Sequence, residues 1–401
     1  MIQKVALGEP KMWMNTLGDC WETVWAEDNY LYSVSDDTMP VSNEPISAKN
    51  TRDSTNLMVH RFSGDSIQEL KGITINNMNE YGAKSAIVPD GCSDGCCWKA
   101  MGITSVDNVL YVAVGRHDYG DSSEDPWLRQ TSRNASIIKS ADRGKTWWRN
   151  ADNCYRSPMF MGGKFGTPYF IHYGKAGTES VHNADRYVYA ISNNGFWDNG
   201  DKIRLGRVLK SEIGRLNAFD WAFYKGGDGM KDESWSYNIN DTIIGDLNIS
   251  DWELYKDGDE MKEKVQSTRN GYLLEAPGKC SMTGAQYIEG LERYIMIQWY
   301  YTSGGGVFEE GAKKLGLKNP GQETIWDFYE SPYPWGPWRL FDSHTFNPLG
   351  AYNPCIVPKL TSDDGMEFVV FTNGNFYTAF SEGTKCVQRV HFIECKLEMT
   401  V

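Results

Sequence analysis

The apolar stretches of this chain are short, and turn residues keep interrupting them. Asn108-Val-Leu-Tyr-Val-Ala-Val114, Arg186-Tyr-Val-Tyr-Ala-Ile-Ser192, Arg293-Tyr-Ile-Met-Ile-Gln-Trp299 and Met366-Glu-Phe-Val-Val-Phe-Thr372 are rich in β-branched and aromatic side chains, in segments punctuated by Gly, Asn, Asp or Pro. That pattern predicts strands. Helical patterning with caps is confined to a turn at Ser211-Glu-Ile-Gly and a piece at Glu309-Glu-Gly-Ala-Lys-Lys-Leu315. A nearly all-β chain of 401 residues must hide its sheet edges, and either several sandwiches or a closed radial array of sheets does so.

The segment Ser140-Ala-Asp142-Arg-Gly144-Lys-Thr146-Trp147 chooses between these, because S-x-D-x-G-x-T-W is the Asp-box hairpin of propeller blades. Asp142 can accept from the turn's own N–H groups, Gly144 can supply a positive φ, and Trp147 can pack back under the hairpin. These are structural roles, with no chemistry of their own. The expected fold is therefore all-β: a single-domain β-propeller over residues 1–401. Grouping the strands gives five blades at about 13–71, 98–150, 168–225, 286–340 and 354–399, with six or seven blades left open. The first ten residues and the strand Arg389-Val-His-Phe-Ile-Glu-Cys-Lys-Leu397 are expected to pair and close the ring. One stretch departs from the pattern. Asp220-Trp-Ala-Phe-Tyr224-Lys225 recurs as Asp251-Trp-Glu-Leu-Tyr255-Lys256, which reads as a duplicated acidic excursion at about 226–270.

Composition restricts the partners. Net charge is −13, which disfavours capture of nucleic acid or anionic lipid, and no run of about 18 apolar residues offers a membrane span. Aromatic residues reach 13%, a content that suits strands and sugar binding. The nine cysteines are mostly scattered, and Cys92-Ser-Asp-Gly-Cys96-Cys97 lacks a second ligand pair for zinc. Free thiols and the absence of a visible leader favour a cytoplasmic location, with secretion left open. No cofactor is expected; a structural Ca²⁺ is left open, since the Asp-rich loops lack the twelve-residue EF pattern.

The candidate chemistry begins at Gly18-Asp19-Cys20-Trp21-Glu22 and Ser35-Asp36-Asp37-Thr38, read as two strands joined by a turn at Glu27-Asp28-Asn29. Asp19 and Asp37 would then lie at the ends of neighbouring strands on one rim. Paired carboxylates so placed are what glycoside hydrolysis uses, one protonated to assist the leaving oxygen and one ionised as base or nucleophile. Either Asp could instead cap a turn.

Taken in order, Gly18-Asp19 with Asp37-Thr38, the Asp-box, Phe165-Gly-Thr-Pro168, the strand near Arg186, Leu205-Gly-Arg207, Glu330-Ser-Pro-Tyr-Pro-Trp335-Gly-Pro-Trp338 and Tyr352-Asn-Pro354 resemble the propeller glycosidase group that includes bacterial endo-D-arabinanases. The resemblance implies catalysis by two rim aspartates, here matched by Asp19 and Asp37. The chain departs from the group in having Gly-Asp-Cys-Trp and Ser-Asp-Asp-Thr where Gly-Asp-Thr is more usual, and in the duplicated excursion.

A second constellation is basic: Lys99, Arg116, His117 and Asn134 lie around the strand ends that precede the Asp-box. Arg can bind a carboxylate bidentately and a neighbouring His can move a proton, which suits a uronate. It resembles the equipment of propeller lyases that cleave beside glucuronate by β-elimination; a rim ion pair of Arg116 with Asp118 or Asp121 is the structural alternative. His172, which ends an apolar strand, could reach the same rim, and Trp299 is a candidate sugar platform. Three functions are therefore carried forward: a glycoside hydrolase with Asp19 and Asp37 as catalytic pair, inverting by preference, on an oligo- or polysaccharide; a uronate lyase; and a glycan-binding propeller without catalysis. The oligomeric state is left open.

Overall fold

The computed structural model describes residues 1–46, 54–82, 92–118, 130–242, 272–302, 323–346, 351–374 and 388–400. Regular structure there is almost entirely β; the α-helices are two short ones, Ala151–Arg156 and Lys210–Ile213. The second falls at the predicted helical turn near Ser211, whereas the piece at 309–315 lies outside the described residues.

The strands form antiparallel groups in chain order. The first group is Asp19–Trp25, Leu31–Thr38, Thr55–Ser63 and Lys71–Asn76. The second is Cys97–Val106, Val109–Asp118 and Thr131–Ser140. The third runs through Tyr169–Tyr173, Tyr187–Asn193, Gly200–Leu209, Ala222–Tyr224 and Trp235–Ser236, with Tyr272–Cys280 added beside Gly200–Leu209. The fourth is Ala285–Ile288, Arg293–Tyr301, Thr324–Ser331 and Arg339–Phe346. The last is Tyr352–Thr361, Glu367–Asn373 and His391–Met399, completed by the N-terminal strand Ile2–Leu7. The expected pairing of chain ends is present, with Val5 opposite Leu397 and Leu7 opposite Cys395.

The first strands of the groups pack on one another in sequence: 352–361 on 19–25, 19–25 on 97–106, 97–106 on 169–173, 169–173 on 285–288, and 285–288 on 352–361. The third and fourth groups are joined there by a parallel pairing, Ile171 opposite Ala285 and His172 opposite Gln286. The first strands are buried along nearly their whole length, as strands covered on both faces must be.

The turn at 140–147 makes the hydrogen bonds expected of it. Asp142 Oδ1 accepts from Ser140 Oγ and Thr146 N, both at 2.8 Å, Asp142 Oδ2 accepts from Thr146 Oγ1 at 2.6 Å, and Gly144 has φ +88°. Trp147 donates to Gly144 O at 3.1 Å and is half-buried, not enclosed. A degenerate copy escaped the sequence reading: at Ser362-Asp-Asp364-Gly-Met-Glu367, Asp364 Oδ1 accepts from Ser362 Oγ and Met366 N. The first copy of the duplicated segment is partly core: Trp221 is 1% exposed against Phe160 and Phe165, and Ala222–Tyr224 is a strand of the third group. Its second copy lies outside the described residues.

Candidate functional site

Gly18 starts the site. Its φ is +151°, and a Cβ there would stand 2.4–2.9 Å from Thr38, so only glycine lets the two strand ends approach. Across this contact Asp19 is paired with Asp36, but the next pair is Glu22 with Val34, leaving one extra residue on the first strand. Cys20 (φ +53°) takes up this bulge and Asp37 (φ +43°) bends the other strand. Bulges and left-handed non-glycine residues re-aim side chains at strand ends, and here they bring three carboxyl groups to one place.

The partners of these carboxyls come from distant sequence. Asp19 accepts from the Tyr352 hydroxyl at Oδ1 and from Gln388 Nε2 at Oδ2 (2.8 Å). Asp37 forms an ion pair with Lys99, which is 3% exposed. Asp36, 1% exposed, accepts from the Ala100 amide at 2.6 Å, while its Oδ2 has no hydrogen-bond partner among the described residues. Burial pushes the Asp36 carboxyl well above the usual range; Lys99 and the Ala100 amide oppose this, and the charges of Asp37 and Asp19 add to it. Cys20 N donates to Asn373 Oδ1 at 3.0 Å, and Asn373 Nδ2 donates to Gly18 O at 2.8 Å, tying the first strand to the last group. The aromatic border is Trp197 and Tyr352, with rings 5.2 Å apart.

Of the residues singled out from sequence, the structure brings Asp19, Asp37 and Lys99 together. Arg116 is 2% exposed and held by Asp94, with Nε to Oδ2 at 2.9 Å and Nη2 to Oδ1 at 2.8 Å, while its guanidinium lies 4.5 Å over Trp98. It forms a packed ion pair with Asp94; of the carboxylates expected for it, Asp121 lies outside the described residues. His117 is enclosed, burial drives its pKa down to about 3, and its Nε2 meets Gln130 Oε1 at 2.8 Å. It is a neutral link to Gln130, whose backbone N–H donates to Asp198 Oδ1 at 3.0 Å. Asn134 exchanges hydrogen bonds with Gly162, N–H to O at 3.1 Å and Oδ1 from N at 2.7 Å, so it shapes a loop. Trp299 is wholly buried, donates to Met282 O at 2.9 Å and supports Trp197 from below, so it cannot floor a sugar site.

His172 faces inward. With Glu22 and Gln286 it lines an enclosed space of about 10 Å³, room for one water. Burial lowers His172 to about 4 and raises Glu22 to about 8. Among the described residues no group of three or more His, Cys, Asp or Glu is arranged to hold a metal ion. The reading from sequence missed Asp36, Tyr352, Gln388 and Trp197. Asp36 and Tyr352 lay inside motifs it had quoted; nothing local marked Gln388.

No protein-family model matches this sequence, and no curated protein matches it. Among solved structures, the chain resembles a Bacteroides ovatus protein described provisionally as a hydrolase: TM-score 0.51, 14% identity, covering 96% of this chain and 87% of that one. The RS223 β-xylosidase aligns at TM-score 0.44 and 10% identity over 96% and 94% of the two chains. An α-L-arabinofuranosidase of Podospora anserina, solved with cellotriose, aligns at 0.41 and 8% over 98% and 97%. The first likeness shows a shared fold; activity has to be argued from the residues.

Proposed function

We propose that this chain is a carbohydrate-active glycoside hydrolase built as a five-bladed β-propeller, with Asp19 and Asp37 as its catalytic residues. The five-blade reading rests on the cyclic packing of the five first strands and on the pairing of the chain ends. The observation that carries the function is the meeting of Asp19, Asp36 and Asp37 with Lys99 and the Tyr352 hydroxyl at one strand end, beside two aromatic rings.

The surroundings divide the roles. The Lys99 ammonium is paired with the Asp37 carboxylate and holds it in place, and Asp37 is assigned as the base that takes a proton from water. Asp19 is the acid that protonates the leaving oxygen: the Tyr352 hydroxyl accepts as well as donates, and the Gln388 amide offers an oxygen if it turns over, so both forms of Asp19 keep partners. Burial pushes the Asp36 carboxyl upward, which disfavours a third negative charge in the cluster. One base, one acid and no covalent intermediate is the inverting scheme. Elimination is less well served, because Arg116 is engaged by Asp94 and His117 is buried and neutral.

The test is a panel of neutral and uronate-containing oligosaccharides given to the wild type and to Asp19→Asn. New reducing ends made by the wild type and lost in the variant support the reading. Cleavage that survives in Asp19→Asn, or no cleavage of any member, overturns it.

A further inference from the structure

The far end of the first sheet carries a second depression with a different character. It has a volume of about 490 Å³, within the usual range for small-molecule sites, and its walls include Trp13, Asn15, Tyr30, Asn43, Arg61 and Lys71. Arg61 and Lys71 come from adjacent strands, with Arg61 opposite Ile73 and Ser63 opposite Lys71. Tyr30 lies six residues before Asp36, so about 20 Å of strand separates the Tyr30 wall of the depression from Asp36.

Charge sets the depression apart. The chain carries a net charge of −13, and other cations such as Lys99, Arg116, Arg143 and Arg339 are matched to carboxylates. Among the described residues no carboxylate lines this depression, and neither Arg61 nor Lys71 forms an ion pair. The Arg61 guanidinium instead lies 4.3 Å over the Tyr30 ring, which helps to hold it in place. Trp13 is half-buried, anchored by Phe62 and Phe392 at 5.2 and 5.5 Å. Asn15 is positioned by its bond to Ser42 O at 3.0 Å.

We propose that this depression is a second carbohydrate-binding site, selective for a sugar bearing a carboxylate. Arg61 and Lys71 take the carboxylate, Trp13 supplies an apolar surface, and Asn15 and Asn43 serve the hydroxyls. The site binds without reacting and is independent of the roles given to Asp19 and Asp37. Its occupant is a uronate unit.

The test uses the full chain carrying Asp19→Asn, with trigalacturonate as probe and maltotriose as neutral control, read by calorimetry and by tryptophan fluorescence. Trigalacturonate should bind, and maltotriose should bind at least about tenfold more weakly. Arg61→Gln and, in the exposed position, Lys71→Gln should each weaken trigalacturonate about tenfold, the scale of one lost charge-assisted hydrogen bond. Trp13→Phe should remove most of the fluorescence response. Equal binding of maltotriose, no binding of trigalacturonate, or binding unchanged in both charge variants overturns the proposal. Because the probe is scored by binding, failure here leaves the hydrolase reading standing, and the reverse holds too.

Discussion

Asp142 and Asp36 both lie at strand ends, yet their surroundings make them opposites. Asp142 spends its oxygens on Ser140 and Thr146 within its own turn, and those hydrogen bonds outweigh its slight desolvation and lower its pKa. Asp36 is buried beside two other carboxyls, keeps one oxygen without a partner among the described residues, and is pushed strongly upward. A carboxylate satisfied by its neighbours in sequence is a staple. One gathered with others by tertiary structure, at a cost in desolvation, is the kind that catalysis uses.

Activity should break this comparison first. Asp19→Asn and Asp37→Asn should each lower kcat by about 10²-fold or more, the low end for lost acid–base help, whereas Asp142→Asn should leave kcat of the folded protein unchanged. Steady-state kinetics on a cleaved oligosaccharide, with circular dichroism to verify folding, decides it; activity loss in Asp142→Asn alone would reverse the assignments.

Stability should separate the two tryptophans that serve these regions. Trp299→Ala removes a wholly buried ring from beneath Trp197 and should cost about 3–5 kcal/mol. Trp147→Ala removes a half-buried one and should cost about 2 kcal/mol, scaled to the apolar area it covers. Urea denaturation measures both, and an equal cost would show that the hairpin is as deeply packed as the site.

A third difference is in pH. Glu22 holds its proton to about 8 in the fold against 4.5 as its ordinary value. Between those values the native state binds more protons than the unfolded one, so this group makes stability fall as pH rises. His172, lowered to about 4, acts the other way between about 4 and 6.5. Glu22→Gln should therefore gain on the wild type in melting temperature as pH goes from 5 to 8; a constant gap would contradict the burial of that carboxyl. The smallest expected effect is in the thiols. Among the described residues no disulfide joins two cysteines, so reductant should leave the melting temperature unchanged, and Cys92 and Cys96 should be alkylated in the native protein before the buried six.

Much of the fold was legible because its signals are local. The strands at 109–118 and 187–193, the turn at 140–147 and the pairing of chain ends follow from alternation, turn residues and the need to cover edges. The site was legible only in part. Asp19 and Asp37 stand out in short motifs, but their meaning depends on Tyr352 and Gln388, more than three hundred residues away. Arg116 and His117 looked available because sequence does not show burial; Asp94 and Gln130 claim them in the fold. Trp299 looked like a platform for the same reason.

The most direct measurement is proton NMR of the fresh product of a cleaved oligosaccharide. Water delivered by Asp37 while Asp19 protonates the leaving oxygen predicts a saturated product whose anomeric configuration is initially opposite to that of the substrate. An unsaturated uronate, or an initially retained anomer, would contradict the two-carboxylate account.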